Sequence, residues 1–330
     1  MAIQISGGVQ LSGPVLLDPT GGSPSPSPSP GGGASNFGYA AGGNPTTNII
    51  DKFSFSSDAN ATDVGDTVGT PADEAGQSSS SHGYISGYGG PSDPSGKIQK
   101  FAFASDGNAS DVGSLTVRRT SSAGGSSSAS GYTAGGTGIS SVIDKFPFAS
   151  DDNATNVGDL ATGVQETTGQ NSSDNGYVSN GEASPGNVNI IQKYSFASDG
   201  NASDVGDNTA TRRNVAGQSS STHGYTSGGY IAPNNYRVDI IDKFPFASDG
   251  NATDVGDLTL GRRQLSGTSS TASGYNAGGN REPGTQNDID KFSFSSDSNA
   301  TDVGDLTQAR SMATGAVSYT HLTLPTICSV

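Results

Sequence analysis

The sequence predicts an all-β protein, a β-propeller of six or seven four-stranded blades whose repeats break off near the C-terminus. Three observations predict it. The phrase Ile-Asp-Lys-Phe-Pro-Phe-Ala-Ser-Asp-Gly-Asn-Ala-Thr-Asp-Val-Gly-Asp-Leu-Thr at 241–259 recurs around Lys52, Lys100, Lys145, Lys193 and Lys291, and successive lysines are 48, 45, 48, 50 and 48 residues apart. A second phrase, Gly-Tyr-x-x-Gly-Gly or a near copy, precedes each one, at Tyr39, Tyr84, Tyr132, Tyr177, Tyr225 and Tyr275. Each unit has room for four short strands, and no segment shows helical periodicity.

The elements follow in chain order. Residues 1–20 alternate apolar and polar side chains in Met1-Ala-Ile-Gln-Ile-Ser, which suits a short strand. Residues 21–33 are a linker: Ser-Pro repeats favour extended polyproline II, and the flanking glycines act as hinges. A strand-like head on a stiff tether reads as an attachment segment or as a plain leader. Residues 34–316 hold the six visible units. Within one unit, His223 to Gly229 forms a strand ended by glycines. Asp242 to Phe246 forms another, with Phe244 and Phe246 sharing a face because side chains alternate along a strand. Ile241 and Pro245 point the other way, so both faces are apolar, as a sheet between two neighbours requires. Ser248-Asp249-Gly250-Asn251 is a turn. Val255 and Leu258 mark the next strand, and Arg262 to Ser270 a further one. Residues 317–330 match no repeat and resemble the translation of a transposase sequencing adapter. Before them, Arg310 to Gly315 enters one more strand, which either closes the ring in the first blade or opens a seventh.

Composition narrows the function. A chain with 49 Gly and only 31% hydrophobic residues would read as disordered if it were aperiodic, so a low-complexity disordered chain is the reading that the repeats oppose. A net charge of -15 argues against nucleic acid, whose phosphates need clustered Lys and Arg. No apolar run approaches the roughly 20 residues that span a bilayer, so membrane insertion is not expected. The one cysteine, Cys328, allows no internal disulfide.

The unit resembles a kelch repeat. Gly224-Tyr225 through Gly228-Gly229, Lys243-Phe244, Leu258 and Arg262 occupy that family's glycine pair, aromatic strand, Leu and Arg in order. The family's Trp before the Leu is missing, and Ala252 or Val255 stands there, which questions the packing between blades. The resemblance implies a propeller used as a binding or structural module. More loosely, the repeats are similar to kelch-like tail-fibre or virion-associated proteins of tailed phages, which implies a virion component attached through residues 1–20.

Chemistry is sparse. The loop Asp249, Asn251, Asp254 and Asp257 offers oxygen ligands for calcium, but it lacks the Asp-x-Asp-x-Asp-Gly pattern, so a turn is the expected role. No cofactor is expected. The doublets Arg118-Arg119, Arg212-Arg213 and Arg262-Arg263 recur at one blade position and are expected to hold a loop. Lys52 and its equivalents are expected to snorkel or to pair with acids. His82 and His223 match no nucleophile by spacing. The expectation is therefore a non-enzymatic module that recognises protein or glycan. Its variable loops, 91–96, 182–187 and 230–237, lie on one face, and Tyr88, Tyr230, Tyr236 and Arg237 are the contact candidates. The alternatives are a carbohydrate-active enzyme on the same scaffold and an intracellular kelch-like interaction module.

Overall fold

The computed structural model of the chain describes residues 35–87, 96–233 and 236–319. The expected head at 1–20, the linker at 21–33, Tyr88, most of the loop at 91–96 and residues beyond 319 lie outside them. The described residues form six four-stranded antiparallel sheets and no helix. These are the blades of a six-bladed β-propeller.

Blade five is representative. Its axial strand is Ala216–Ser219, its second strand His223–Ser227, its third Ile240–Pro245 and its rim strand Thr253–Asp257, paired in that order. The third strand is buried on both faces: Ile241, Asp242 and Phe244 are all 2% exposed or less. The sequence reading placed a strand from Arg262. The observed axial strand of blade six begins at Ser266, because Gln264 turns through a left-handed φ of 59° and Arg262 lies in the preceding crossing.

Blade one is built from both ends of the described chain. Its second strand Ser35–Ala41, third strand Ile49–Ser54 and rim strand Thr62–Asp66 receive their axial strand from Thr314–Tyr319. The pairing runs from Ala41 opposite Thr314 to Ser35 opposite Tyr319. Of the two alternatives for this strand, closure of a six-bladed ring is the one adopted. The strand crosses the boundary expected at Ala316.

Three sets of contacts pass from blade to blade and close on themselves. The first is aromatic. Tyr225 stacks on Phe294 of the next blade at 4.8 Å between centroids and tilts against Phe292 at 5.4 Å. The same triplet runs from Tyr39 with Phe101 and Phe103 round to Tyr275 with Phe53 and Phe55. Each buried aromatic stabilises by about 1.5–3 kcal/mol. These triplets answer the missing Trp: the rings between blades come from the second-strand tyrosine and from the two phenylalanines in and just past the next blade's third strand, and Ala252 clusters with Phe244. The second set is ionic. Lys52, Lys100, Lys145, Lys193, Lys243 and Lys291 pair with Asp106, Asp151, Asp199, Asp249, Asp297 and Asp58 in the following blade. The third is a cap. Asn108, Asn153, Asn201, Asn251, Asn299 and Asn60 each accept the backbone N–H that ends the previous rim strand, at 3.0–3.1 Å.

At the axis, one glycine per blade meets the next. A Cβ on Gly76, Gly124, Gly169, Gly217, Gly267 or Gly315 would overlap the carbonyl oxygen of the preceding member of this ring, and Gly76 meets Gly315 to close it. Only a residue without a side chain lets six backbones converge so closely.

Candidate functional site

The crossing from one rim strand to the next axial strand carries the chemistry. In blade six, Thr259 Oγ1 donates to Asp290 Oδ1 at 2.7 Å, and Arg262 Nη2 lies 2.9 Å from Asp290 Oδ2. Thr116, Arg119 and Asp144 repeat this in blade three, Thr209, Arg212 and Asp242 in blade five, and Thr307, Arg310 and Asp51 in blade one. All four arginines and all four aspartates are 2% exposed or less. A buried ion needs its partner, because an unpaired charge in the interior costs several kcal/mol.

Blades two and four lack the arginine, and there the whole set changes together. Val68, Pro71 and Gln99, and Ala161, Val164 and Gln192, replace Thr, Arg and Asp. Gln99 then accepts from the Val68 N–H at 2.9 Å and donates to the Val68 carbonyl at 2.8 Å. Gln192 does the same to Thr162. The expected loop-holding arginine is thus the second of the doublet in Arg118-Arg119, the first in the other two, and the solitary Arg310 in blade one.

Just past these residues, each crossing turns through one left-handed residue: Asp73, Ser121, Glu166, Asn214, Gln264 and Met312, with φ of 54–70°. The N–H of each donates to the carbonyl of its counterpart in the previous blade at 2.5–2.9 Å, forming a closed hydrogen-bonded belt. The belt adjoins an axial cavity of about 110 Å³ floored by the six glycines. Acids gather here. Ser121 Oγ donates to Asp73, and Asn214 Nδ2 donates to Glu166 Oε2 at 2.7 Å. Burial raises the Asp73 carboxyl. Burial also raises Glu166, against the opposing pull of Arg213. Burial pushes Glu74 up to about 8, and neither of its carboxyl oxygens has a hydrogen-bond partner.

The loops between second and third strands emerge at this same end, because a second strand runs antiparallel to the axial strand and finishes level with its start. Backbone bridges tie them to the crossings: Gln165 with Glu182, Arg213 with Tyr230, and Arg263 with Asn280. The expected shared face therefore holds the loops 182–187 and 230–237. Tyr230 is buried, with the guanidinium carbons of Arg213 and Arg263 5.3 and 5.2 Å from its ring centre. Tyr236 is 65% exposed. Arg237 is tied to Asn280 Oδ1 at 3.0 Å and Glu282 Oε1 at 2.7 Å.

Of the calcium candidates, Asp249 and Asn251 lie in the turn at the opposite end, whereas Asp254 and Asp257 lie along the rim strand, Asp257 where it enters the crossing, and the four face different partners. Asp249 pairs with Lys193, Asn251 caps Asp207, and Asp254 accepts from the Gly256 N–H at 3.2 Å. The Asp257 N–H donates to Asn299. Among the described residues, no three acid, His or Cys side chains gather as a metal site would need. His82 and His223 are also at that end, each with Nδ1 hydrogen-bonded to the preceding hydroxyl, Ser81 or Thr222.

Sequence reading missed Glu74 and Glu166, and it named Arg213 and Arg263 only as members of the doublets. Glu74 leaves a trace when the six copies are aligned, because Ser122, Thr167, Val215, Leu265 and Ala313 stand at its place.

The solved structure described as "Structure of YjhT" has the same fold. It superposes with a TM-score of 0.59 at 12% sequence identity, covering 74% of this chain and 86% of that one. At that identity the likeness speaks for the fold alone. No known family profile matches the chain, and no curated protein matches it.

Proposed function

We propose that this chain is a non-enzymatic binding module that recognises protein or glycan through the face carrying its crossings and second-to-third loops. One observation carries the reading. The three large apolar side chains exposed among the described residues, Val68 at 40%, Val117 at 59% and Tyr236 at 65%, belong to the crossings and loops of this one face. Exposed apolar groups gathered on one side of a soluble fold mark interaction surfaces. The other end repeats the same Lys–Asp and Asn contacts in every blade, so it offers a scaffold rather than a distinctive surface. The kelch resemblance supports the same use of the loop face. The resemblance to phage tail-fibre proteins adds a virion setting, in which residues 1–20 anchor the propeller.

The test is retention on glycan and protein arrays by the wild type, a V117S/Y236S double variant and an opposite-face D106S control. Loss in the double variant with retention in the control supports the reading. Equal retention by all three overturns it. Immunogold labelling of intact virions tests the setting, and unlabelled particles reject it. The enzyme alternative has one specific motive, the buried Glu74 and the half-buried Asp73 and Glu166 beside the axial cavity. Turnover of a retained glycan, abolished by E166Q, would establish that alternative instead.

A further inference from the structure

The distribution of positive charge on this acidic chain is uneven. Of its 16 Lys and Arg residues, six lysines form the bridges between blades and four arginines are buried against aspartates. Lys97 faces Asp111 at 4.0 Å. Arg213 is neutralised twice, with Nε 3.1 Å from Glu166 and Nη1 2.5 Å from Glu182, and Arg237 is held by Glu282. Arg118 stands close enough to Glu74 to lower that carboxyl. Arg263 and Arg281 make no ion pair with any described carboxylate. Both belong to blade six, on the loop face, and Arg281 follows Asn280, the residue bridged to Arg263.

Arg263 is also held in position. Its guanidinium lies over the Tyr230 ring at 5.2 Å, and its Nε is buried without a hydrogen-bond partner. Tyr230 is fixed in turn by the Asn187 Nδ2 donor on its carbonyl at 3.2 Å and by backbone pairing with Arg237. The ordering of one side chain is therefore already achieved before any ligand arrives. A planar guanidinium presents a fork of donors that matches a carboxylate in two parallel hydrogen bonds. Tyr236 pairs with Ile231 on the same hairpin and so turns to the face opposite Tyr230 and Arg263, which leaves the Tyr230 ring as the aromatic partner of this guanidinium.

We propose that Arg263, on its Tyr230 platform, is a carboxylate-binding subsite of the loop face. This rests on the binding-module reading above and narrows it to acidic ligands. The carboxylate belongs either to a sugar acid or to an acidic side chain, which offer the same chemistry to the guanidinium.

The experiment is NMR titration of the full chain with three probes: galacturonate, galactose, and acetyl-glutamate amide. Galacturonate is expected to shift the Arg263 Nε–H and Tyr230 ring signals, and galactose to leave them unmoved. R263Q is expected to weaken galacturonate binding about tenfold or more, the scale of one lost charge-assisted pair. R263K keeps the charge and loses the fork, so it falls between. Added salt weakens binding further. If acetyl-glutamate amide matches galacturonate, the subsite holds and its natural source is an acidic side chain; if galacturonate alone binds, the source is a sugar acid. Shifts that are equal for galacturonate and galactose, or unchanged by R263Q in a variant with wild-type melting, overturn the subsite and leave the loop-face reading standing. No response to either carboxylate up to its solubility limit overturns the subsite too, and the arrays above then decide the broader reading separately.

Discussion

Glu74 is the position at which the fold bears its clearest self-imposed cost. It is 8% exposed, its oxygens have no partners, and burial, reinforced by Asp73, pushes its carboxyl up to about 8 from an ordinary 4.5. A raised acid keeps in the folded chain a proton that the unfolded chain releases. Its burden on stability is therefore absent below the ordinary value, grows as pH rises through that value, and levels off above about 8. Each tenfold mismatch in proton affinity is worth about 1.4 kcal/mol, so the burden is about 1 kcal/mol at pH 5 and about 3 kcal/mol at pH 7. Replacing Glu74 with Val, the residue that blade five has at this place, removes it. Urea unfolding of wild type and E74V at pH 5, 6, 7 and 8.5 measures the difference, and Asp73 and Glu166 largely cancel because both chains carry them. E74V is expected to gain about 2 kcal/mol more over wild type at pH 7 than at pH 5. E74Q keeps the volume and drops the titration, so it is expected to track E74V in slope. If the wild-type and E74V lines run parallel across this range, Glu74 is not held protonated by burial and the reasoning fails.

Other outcomes follow from the same contacts. R262V alone strands Asp290 and is expected to cost about 3–5 kcal/mol, whereas the triple change T259A/R262V/D290Q copies blade four and is expected to recover most of it; equal losses in chemical denaturation would refute the coupling. Tyr225→Ala empties the triplet with Phe292 and Phe294 and is expected to cost about 3–5 kcal/mol in the same assay. Gly267→Ala drives a methyl into the Gly217 carbonyl and is expected to prevent folding, while Gly250→Ala meets nothing within 4 Å and is expected to leave the melting temperature near wild type. Asp58→Ala breaks an exposed bridge to Lys291 and is expected to cost less than about 1 kcal/mol, with the effect fading in salt.

The repeat made most of the architecture readable. Tyrosine and phenylalanine spacing gave strands with two apolar faces, and such strands must lie between neighbours. The lysine of each third strand was expected to snorkel or to meet an acid, and it meets one. What the linear pattern could not give is the partner across the ring. Arg118-Arg119 and Arg262-Arg263 look alike as doublets, yet the buried arginine is the second in one and the first in the other, because in each crossing it is the residue three past the Thr, Thr116 or Thr259. The signal was present in another form: Asp51, Asp144, Asp242 and Asp290 become Gln99 and Gln192 in the two blades whose arginine is Pro71 or Val164. Reading the copies against one another, rather than each against a template, recovers that pairing. The loop face was foreseen as a face, but Tyr230 as a platform and Arg237 as a paired group depend on which hairpins adjoin, which spacing does not encode.

Closure by Thr314–Tyr319 has a consequence for how such a molecule is made. Synthesis delivers Ser35–Ala41 first and its axial partner last, so blade one waits with a missing strand while the rest of the polypeptide emerges. During that interval the aromatic faces of the outermost finished blades stay uncovered, and a nascent chain with open sheet edges is prone to pair with its neighbours. The aspartates and bulged register of the rim strands then guard the half-made ring on its outer side, where a passing strand would otherwise add. Contacts this distant in sequence also form slowly, so the arrival of Thr314–Tyr319 sets the pace at which the circle locks.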